Sequence, residues 1–503
     1  MPGKSPPARL RRRIVRGGAW LGARYGLRQC LNVIRVIIVA RIVTPADIGL
    51  IGMGALAITL VRVFTETGLQ QAVIHGRDES RDTLDTAWSL LLIRNAAIAV
   101  VLAAGAGVVA GFFSEPRAEG VVRLLSVVLL LEGLTNVAVI LFQQRLDFRR
   151  QALYLGGGDV VEFVVTVGLA LVLRNVWALV FGWIAGAAAC VVWSYVAEPR
   201  RPRFYLNRTI LAKLFGYGKW LTASSILMYI LLNGDNIVVG KFIGTAALGF
   251  YQIAYTVANL PATAISHVIS SVMFPAYASV QDDLPRLSRM YLRSLRMTAL
   301  LSVPLAALIA ALADAFVPVF LGEKWEPSIP IMQVLAVFGL MRAFGATTGS
   351  VFLAIGRPDI RTQIQTLQVI IFAAALYPMI QVWGLVGVAA AVATYAVVTN
   401  LYAVGRSARE CALSAGGVVE ALGVPLAAGA GAFGVLRWAR TSAIDGETIG
   451  SVLVLALVGA FVYIGLVAVY DGFRGHAWRR DLVDIVSAIR SDRENPLPRE
   501  NYH

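Results

Sequence analysis

Long polar stretches are what this chain lacks most. Only 15% of its 503 residues are charged, 57% are hydrophobic, and the mean hydropathy is +0.70, whereas an ordinary soluble domain carries about 25% charge. Nowhere do the apolar spans stop for the roughly 100 residues that a separate soluble domain needs. Cysteine is scarce as well. Cys30, Cys190 and Cys411 stand far apart, in or beside apolar spans, which excludes a disulfide framework and the close ligand spacing of a zinc site. The four histidines, His75, His267, His476 and His503, are equally scattered. A nucleotide-binding Walker sequence and a serine-nucleophile elbow are both missing, and the loops between spans are short. These absences lead us to expect no enzyme, no metal and no cofactor, with a coupling ion, H+ or Na+, as the only small ligand left open.

Apolar stretches of about 20 residues recur from end to end instead, the length that crosses a bilayer as a helix. Barrel strands would be about ten residues long and alternate in polarity, and backbone groups in hydrocarbon must bond within their own segment. The expected fold is therefore all-α and integral to the membrane, with about 14 transmembrane helices. The Lys/Arg distribution supports an even number. With the N-terminus inside, segments such as HGRDESRD, QQRLDFRR and GRPDIR join the two tails in holding roughly 30 of the 45 basic residues, as cytoplasmic loops should. Outer loops hold few: Arg41, Arg117, Arg174, Lys241, Lys324, Arg437 and Arg440. The net charge of +15 thus reads as a set of topology signals facing an anionic leaflet, and nucleic acid is not an expected partner. The basic start, residues 1–16, reads as an uncleaved cytoplasmic tail. Residues 472–503 read as an interfacial amphipathic helix followed by a tail.

The chain also repeats itself. At an offset of 200 residues, GAWLGARYGLRQCLNVIRVIIVARIVTPADIG aligns without a gap on GKWLTASSILMYILLNGDNIVVGKFIGTAALG. Gly18, Trp20, Leu21, Ala23, Leu27, Leu31, Ile37, Val39, Ala46 and Gly49 all recur at their number plus 200. The offset spans an even number of helices, so the repeat is parallel, about an axis along the membrane normal. The expected architecture is two pseudo-symmetric six-helix lobes, 17–200 and 201–410, plus two further helices within 411–471, with a substrate cleft between the lobes.

Charges inside the spans are the candidates for function, because an arginine at mid-bilayer costs roughly 2.5 kcal/mol or more. Arg24, Arg28 and Arg35 lie in the first helix, and Arg28 and Arg35 sit only about 40° and 20° around it from Arg24. One stripe of that helix is cationic. Arg24 has the alternative of snorkelling to the headgroups; Arg28 and Arg35 reach neither interface easily. Arg342 adds a cation in the second lobe. Asp235, the repeat equivalent of Arg35, is expected to pair with it as a gate. Arg62 and Glu66 have the spacing of an intrahelical pair, and Glu132 is expected opposite Arg94. Glu66, Glu132, Asp159 and Asp235 are also the candidates for ion coupling. Asp159 and Glu162, placed near the start of a helix at 153–173, read as dipole-stabilised acids. Gly429, Gly431 and Gly434 spell GxGxxG inside an apolar span and read as packing residues.

A cleft walled by guanidinium groups favours phosphate or pyrophosphate, which they grip with paired donors. Three stretches, ARIVTPADIGLIGMGALAITLVRVFTETGLQQAVI, DNIVVGKFIGTAALGFYQIAYTVANLPATAIS and VMFPAYASVQDDLPRL, resemble the polysaccharide-transporter branch of the multidrug/oligosaccharidyl-lipid/polysaccharide (MOP) exporter superfamily, the Wzx-type oligosaccharide flippases. The resemblance is strongest over residues 17–360. It implies a MOP/MATE-like fold in a bacterial inner membrane, with both termini cytoplasmic. The implied cargo is an undecaprenyl-pyrophosphate-linked oligosaccharide repeat unit, moved from the cytoplasmic to the periplasmic leaflet by alternating access for exopolysaccharide, capsule or O-antigen synthesis. The polymerase and co-polymerase of the same pathway are candidate partners alongside membrane lipids. The rival readings are a MATE-like drug/cation antiporter, which would favour acids over arginines in its cleft, and a lipid II-type peptidoglycan precursor flippase, which would not.

Overall fold

The computed structural model describes residues 8–65, 80–145, 147–207, 218–263, 273, 276–442 and 448–473. Among these residues there is no strand. Helix follows helix: α1 Ala8–Ile42, α2 Pro45–Thr65, α3 Arg81–Ala104, α4 Ala106–Phe113, α5 Arg117–Leu134, a 3-10 turn and the short α6 Leu141–Gln144, α7 Phe148–Leu173 and α8 Val176–Ala197. After an extended segment come α9 Gly218–Val238, α10 Thr245–Ala258, α11 Leu284–Phe316, α12 Ser328–Ala354, α13 Pro358–Glu410, α14 Ala415–Ser442 and α15 Ile449–Phe473.

Among the described residues nine helices are long and apolar enough to span a bilayer, or ten if α5 and the bent segment after it, turned by 72°, form one span. α1 is longer than any single crossing requires, yet stands outside that set because its arginines break the apolar window. Gly384, at φ 55°, interrupts α13 at the point where the hydropathy pattern separates two spans, 362–383 and 385–404. α1 starts at Ala8, inside the stretch expected to be a tail, and the expected amphipathic helix lies almost wholly outside the described residues.

Polar residues at the turns punctuate the helices. Asp147 accepts the backbone N–H of Arg150 at 3.2 Å, Asn175 that of Trp177 at 3.1 Å and Asp283 that of Arg286 at 3.1 Å, each satisfying a donor that the first helical turn leaves open. On many helices the side chains turned away from the packing are large and apolar. Val108 and Val172 are each 77% exposed, a surface suited to lipid and not to water.

The chain forms two compact units. The first comprises Met1–Ala254, Phe320–Ile331 and Met379–Ala389. Within it, small residues bring helices together: Gly158 of α7 and Gly186 of α8 face each other so closely that a Cβ on either would stand 3.2–3.3 Å from the other's carbonyl oxygen. The 200-residue offset also reappears. Gly49 rests against the carbonyl of Thr245, and Gly249 against the carbonyl of Pro45. Each contact is the other shifted by 200, so the start of α2 and the start of α10 meet as equivalents. Around that corner the Lys324 ammonium donates to the carbonyls of Val43 at 2.7 Å and Arg41 at 3.1 Å, and the Trp325 indole to that of Ala40 at 2.8 Å. Glu115 accepts from the Thr245 hydroxyl at 2.9 Å.

The second unit comprises Tyr255–Val319, Met332–Pro378 and Ala390–His503. Gly429 packs on Val303 and Gly431 on Leu466, so two of the three glycines in the GxGxxG string serve helix packing. Hydroxyls stitch its interior: the Tyr291 hydroxyl lies 3.0 Å from both Thr348 and Ser407, and Thr298 lies 2.8 Å from Thr347. In hydrocarbon such groups must find each other.

Candidate functional site

The cationic stripe of α1 lies against α7, and two acids of α7 meet it. Asp159 takes both Nε and Nη2 of Arg24 on one carboxylate oxygen, at 3.2 and 3.1 Å. Its other oxygen faces Nε of Arg28 at 3.8 Å. One helical turn further on, Glu162 accepts from Nη1 of Arg35, whose Nη2 donates to Asn32 at 2.9 Å. Gly156 lies beneath the stem of Arg24, where a Cβ would stand 3.9 Å from Cγ, in ordinary contact. The three arginines are not held alike. The Arg24 side chain is 20% exposed and Arg35 29%, whereas Arg28 is 65% exposed with one long contact.

Between the two helices a cavity of about 300 Å³ is lined by Tyr25, Arg28, Asn32, Arg35, Asp159 and Glu162, among others. That volume is at the small end of ligand sites. Its wall carries guanidinium donors, an amide and a phenol, which suit an anion with several oxygens, together with the two carboxylates that those guanidiniums now face.

The remaining candidates fall elsewhere. Glu66 lies outside the described residues, and the expected Arg62–Glu66 pair with it; Arg62 donates to Glu132. Glu132 is ion-paired with Arg62, and the charge of the expected partner, Arg94, also acts on it, while Arg94 donates to Asn95 at 3.5 Å. The expected pair of Arg35 and Asp235 is not formed. Glu162 has taken Arg35, and Asp235, buried on α9, accepts from the Tyr251 hydroxyl at 2.8 Å and from the amides of Asn236 at 2.8 and 2.9 Å. Equivalence under the repeat places two residues at matching depth, but the neighbouring helix decides which partner is within reach. Arg342 belongs to the second unit, where it donates to the Tyr255 hydroxyl at 2.8 Å and to Asn259 at 3.2 Å, with its guanidinium 5.6 Å from the centre of the Phe338 ring. No ion pair of Arg342 occurs among the described residues.

Asp159 and Glu162 are the residues that sequence reasoning underrates. A start at 153 would put Asp159 within two turns of the N-terminus, but α7 starts at Phe148, so both acids are well inside the helix, beyond the first turn where the dipole acts. One signal is present in the sequence: positions i and i+3 share a face, as do the three arginines, so two complementary stripes stand on separate spans.

The comparisons bear on family and fold. Residues 38–330, more than half of the chain, match the family model described as polysaccharide biosynthesis protein. The chain is 25% identical over 381 residues to the lipopolysaccharide biosynthesis protein WzxC of Escherichia coli K12, covering 75% of this chain and 77% of that one. It is 24% identical over 405 residues to the teichuronic acid biosynthesis protein TuaB of Bacillus subtilis 168, covering 79% and 82%. Among solved structures, the lipid II flippase MurJ in an inward closed conformation superposes with a TM-score of 0.74 over 92% of this chain and 99% of that one, at 13% identity. That likeness concerns the fold alone.

Proposed function

The chain belongs to the polysaccharide biosynthesis family, and from that premise we propose that it is a flippase for a lipid-linked oligosaccharide. The cargo is a repeat unit carried on undecaprenyl pyrophosphate, passed from the cytoplasmic to the periplasmic leaflet of a bacterial inner membrane to feed surface polysaccharide synthesis. Both termini face the cytoplasm, as the Lys/Arg bias indicates. The observation that carries this reading is the cavity between α1 and α7, where Arg28 and Arg35 present guanidinium donors to an opening large enough for a phosphate head. A pyrophosphate entering hydrocarbon loses its water, and fixed cations replace part of that solvation. Residues 17–200 and 201–410 act as the two lobes whose alternation passes the head across while the lipid tail stays in the bilayer. Arg342, held by two neutral acceptors and by a ring face, is the second lobe's candidate phosphate contact.

A drug or cation antiporter would need acids in excess of arginines at this site, and here three arginines face two acids. A peptidoglycan-precursor flippase shares the phosphate chemistry, so genetics separates the two. Deleting the gene is expected to accumulate lipid-linked repeat units on the cytoplasmic leaflet and to abolish one surface polymer while cell-wall synthesis continues. Normal surface polymer in that strain, with no second copy to compensate, overturns the assignment.

A further inference from the structure

A carrier of this kind must move its site across the membrane both loaded and empty. Loaded, the phosphates neutralise the arginines. Empty, the largely buried guanidiniums of Arg24 and Arg35 would carry a desolvation penalty unless something else met their charge. Asp159 and Glu162 are placed to do that. They reduce the formal charge of the α1 stripe from three cations to an excess of one, since two carboxylates face Arg24, Arg28 and Arg35.

Resting on the reading of this cavity as the phosphate cradle, we propose that Asp159 and Glu162 are exchangeable counter-anions, which occupy the guanidinium donors of Arg24 and Arg35 in the empty protein and give them up to the cargo's phosphate oxygens. Three features of the geometry support an exchange over a permanent lock. Each pair is incomplete: Arg24 directs two donors at a single oxygen of Asp159, and Arg35 divides its terminal nitrogens between Glu162 and Asn32. A paired fork of two parallel bonds, the tightest arrangement open to arginine and a carboxylate, is absent from both. Arg35, Glu162 and Asp159 also sit on the cavity wall, with Glu162 still 30% exposed, and Arg24 meets the cavity through the Asp159 carboxylate that it holds. Finally, Arg28 is weakly held at 3.8 Å, so an arriving anion has one cation to meet before it competes for the other two. The acids would then set the affinity at a level that permits release.

A merely structural pair and an exchangeable one predict opposite signs. Purified full-length protein is titrated calorimetrically with inorganic pyrophosphate at fixed pH and low salt, as wild type and as Asp159→Asn, Glu162→Gln, the double variant and Arg28→Gln. The proposal expects wild type to bind, Arg28→Gln to bind at least tenfold more weakly, and the double Asp159→Asn/Glu162→Gln protein to bind about tenfold or more tightly, with each single change intermediate. In cells the same double change should reduce surface polymer, because tight binding slows release. An unchanged or lower affinity in the double variant, with wild-type binding intact and abolished by Arg28→Gln, overturns the exchange and leaves the cradle standing. Failure of wild type and all variants to bind pyrophosphate overturns both. Should the double variant not remain monodisperse, Glu162→Gln alone gives the same test of sign, because Asn32 continues to hold Arg35.

Discussion

At the scale of single residues, the α1 arginines separate into held and available. Arg28 makes one long contact from an exposed position, and such pairs contribute little stability. Arg28→Gln is therefore expected to leave the thermal unfolding midpoint of the detergent-solubilised protein nearly unchanged while abolishing complementation of a deletion strain. Arg24→Gln leaves Asp159, which is 15% exposed, with only the long 3.8 Å contact to Arg28, and should lower stability by about 1–3 kcal/mol. The same unfolding measurement checks both. Equal losses of stability for the two variants would mean that Arg28 is as firmly engaged as Arg24.

At the scale of elements, the corner where α2 meets α10 is set by two glycines related by the repeat. A side chain at Gly49 would overlap the carbonyl of Thr245, and one at Gly249 that of Pro45. Backbone cannot yield as a flexible side chain does, so Gly49→Val and Gly249→Val should each destabilise by about 1–3 kcal/mol, to similar extents. At Gly22 and Gly26 of α1 an added Cβ would meet nothing within 4 Å, and Gly22→Ala or Gly26→Ala should be neutral or stabilise by about 0.5–1 kcal/mol. The same corner has a pH dependence. The Arg117 side chain, by its hydrogen bonds to Glu115, together with the Thr245 hydroxyl, holds the Glu115 carboxyl below the ordinary carboxylate range. A depressed acid adds stability that is present above its unfolded value and is lost as the pH falls through the folded one. Thermal stability should therefore drop on acidification below about pH 4, and Glu115→Gln should remove that component of the acid limb.

At the scale of the whole molecule, the topology is open to direct measurement. On the proposed topology the turn at Arg174 is expected outside and the turn at Arg357 inside. In a background without the native cysteines, Arg174→Cys should react with a membrane-impermeant maleimide in cells whose outer membrane is permeable, whereas Arg357→Cys should react only once the inner membrane is opened. Reaction of both from the same side would reverse the orientation argued for one half of the chain.

The sequence by itself determined the class of molecule and the rough position of its helices, because the bilayer imposes on each span a length and composition visible in any one stretch. It also determined the 200-residue repeat, since matching corners need matching small residues, and Gly49 and Gly249 stand in equivalent places. It placed three arginines on one stripe of α1, a matter of helical period alone. Only the tertiary structure decided what those arginines meet. Arg24 and Asp159 are 135 residues apart, and their meeting depends on the true start of α7 and on the face that α7 turns toward α1. A charge pair between helices reflects their mutual rotation, which no single span encodes, and for that reason Glu162 and not Asp235 stands opposite Arg35.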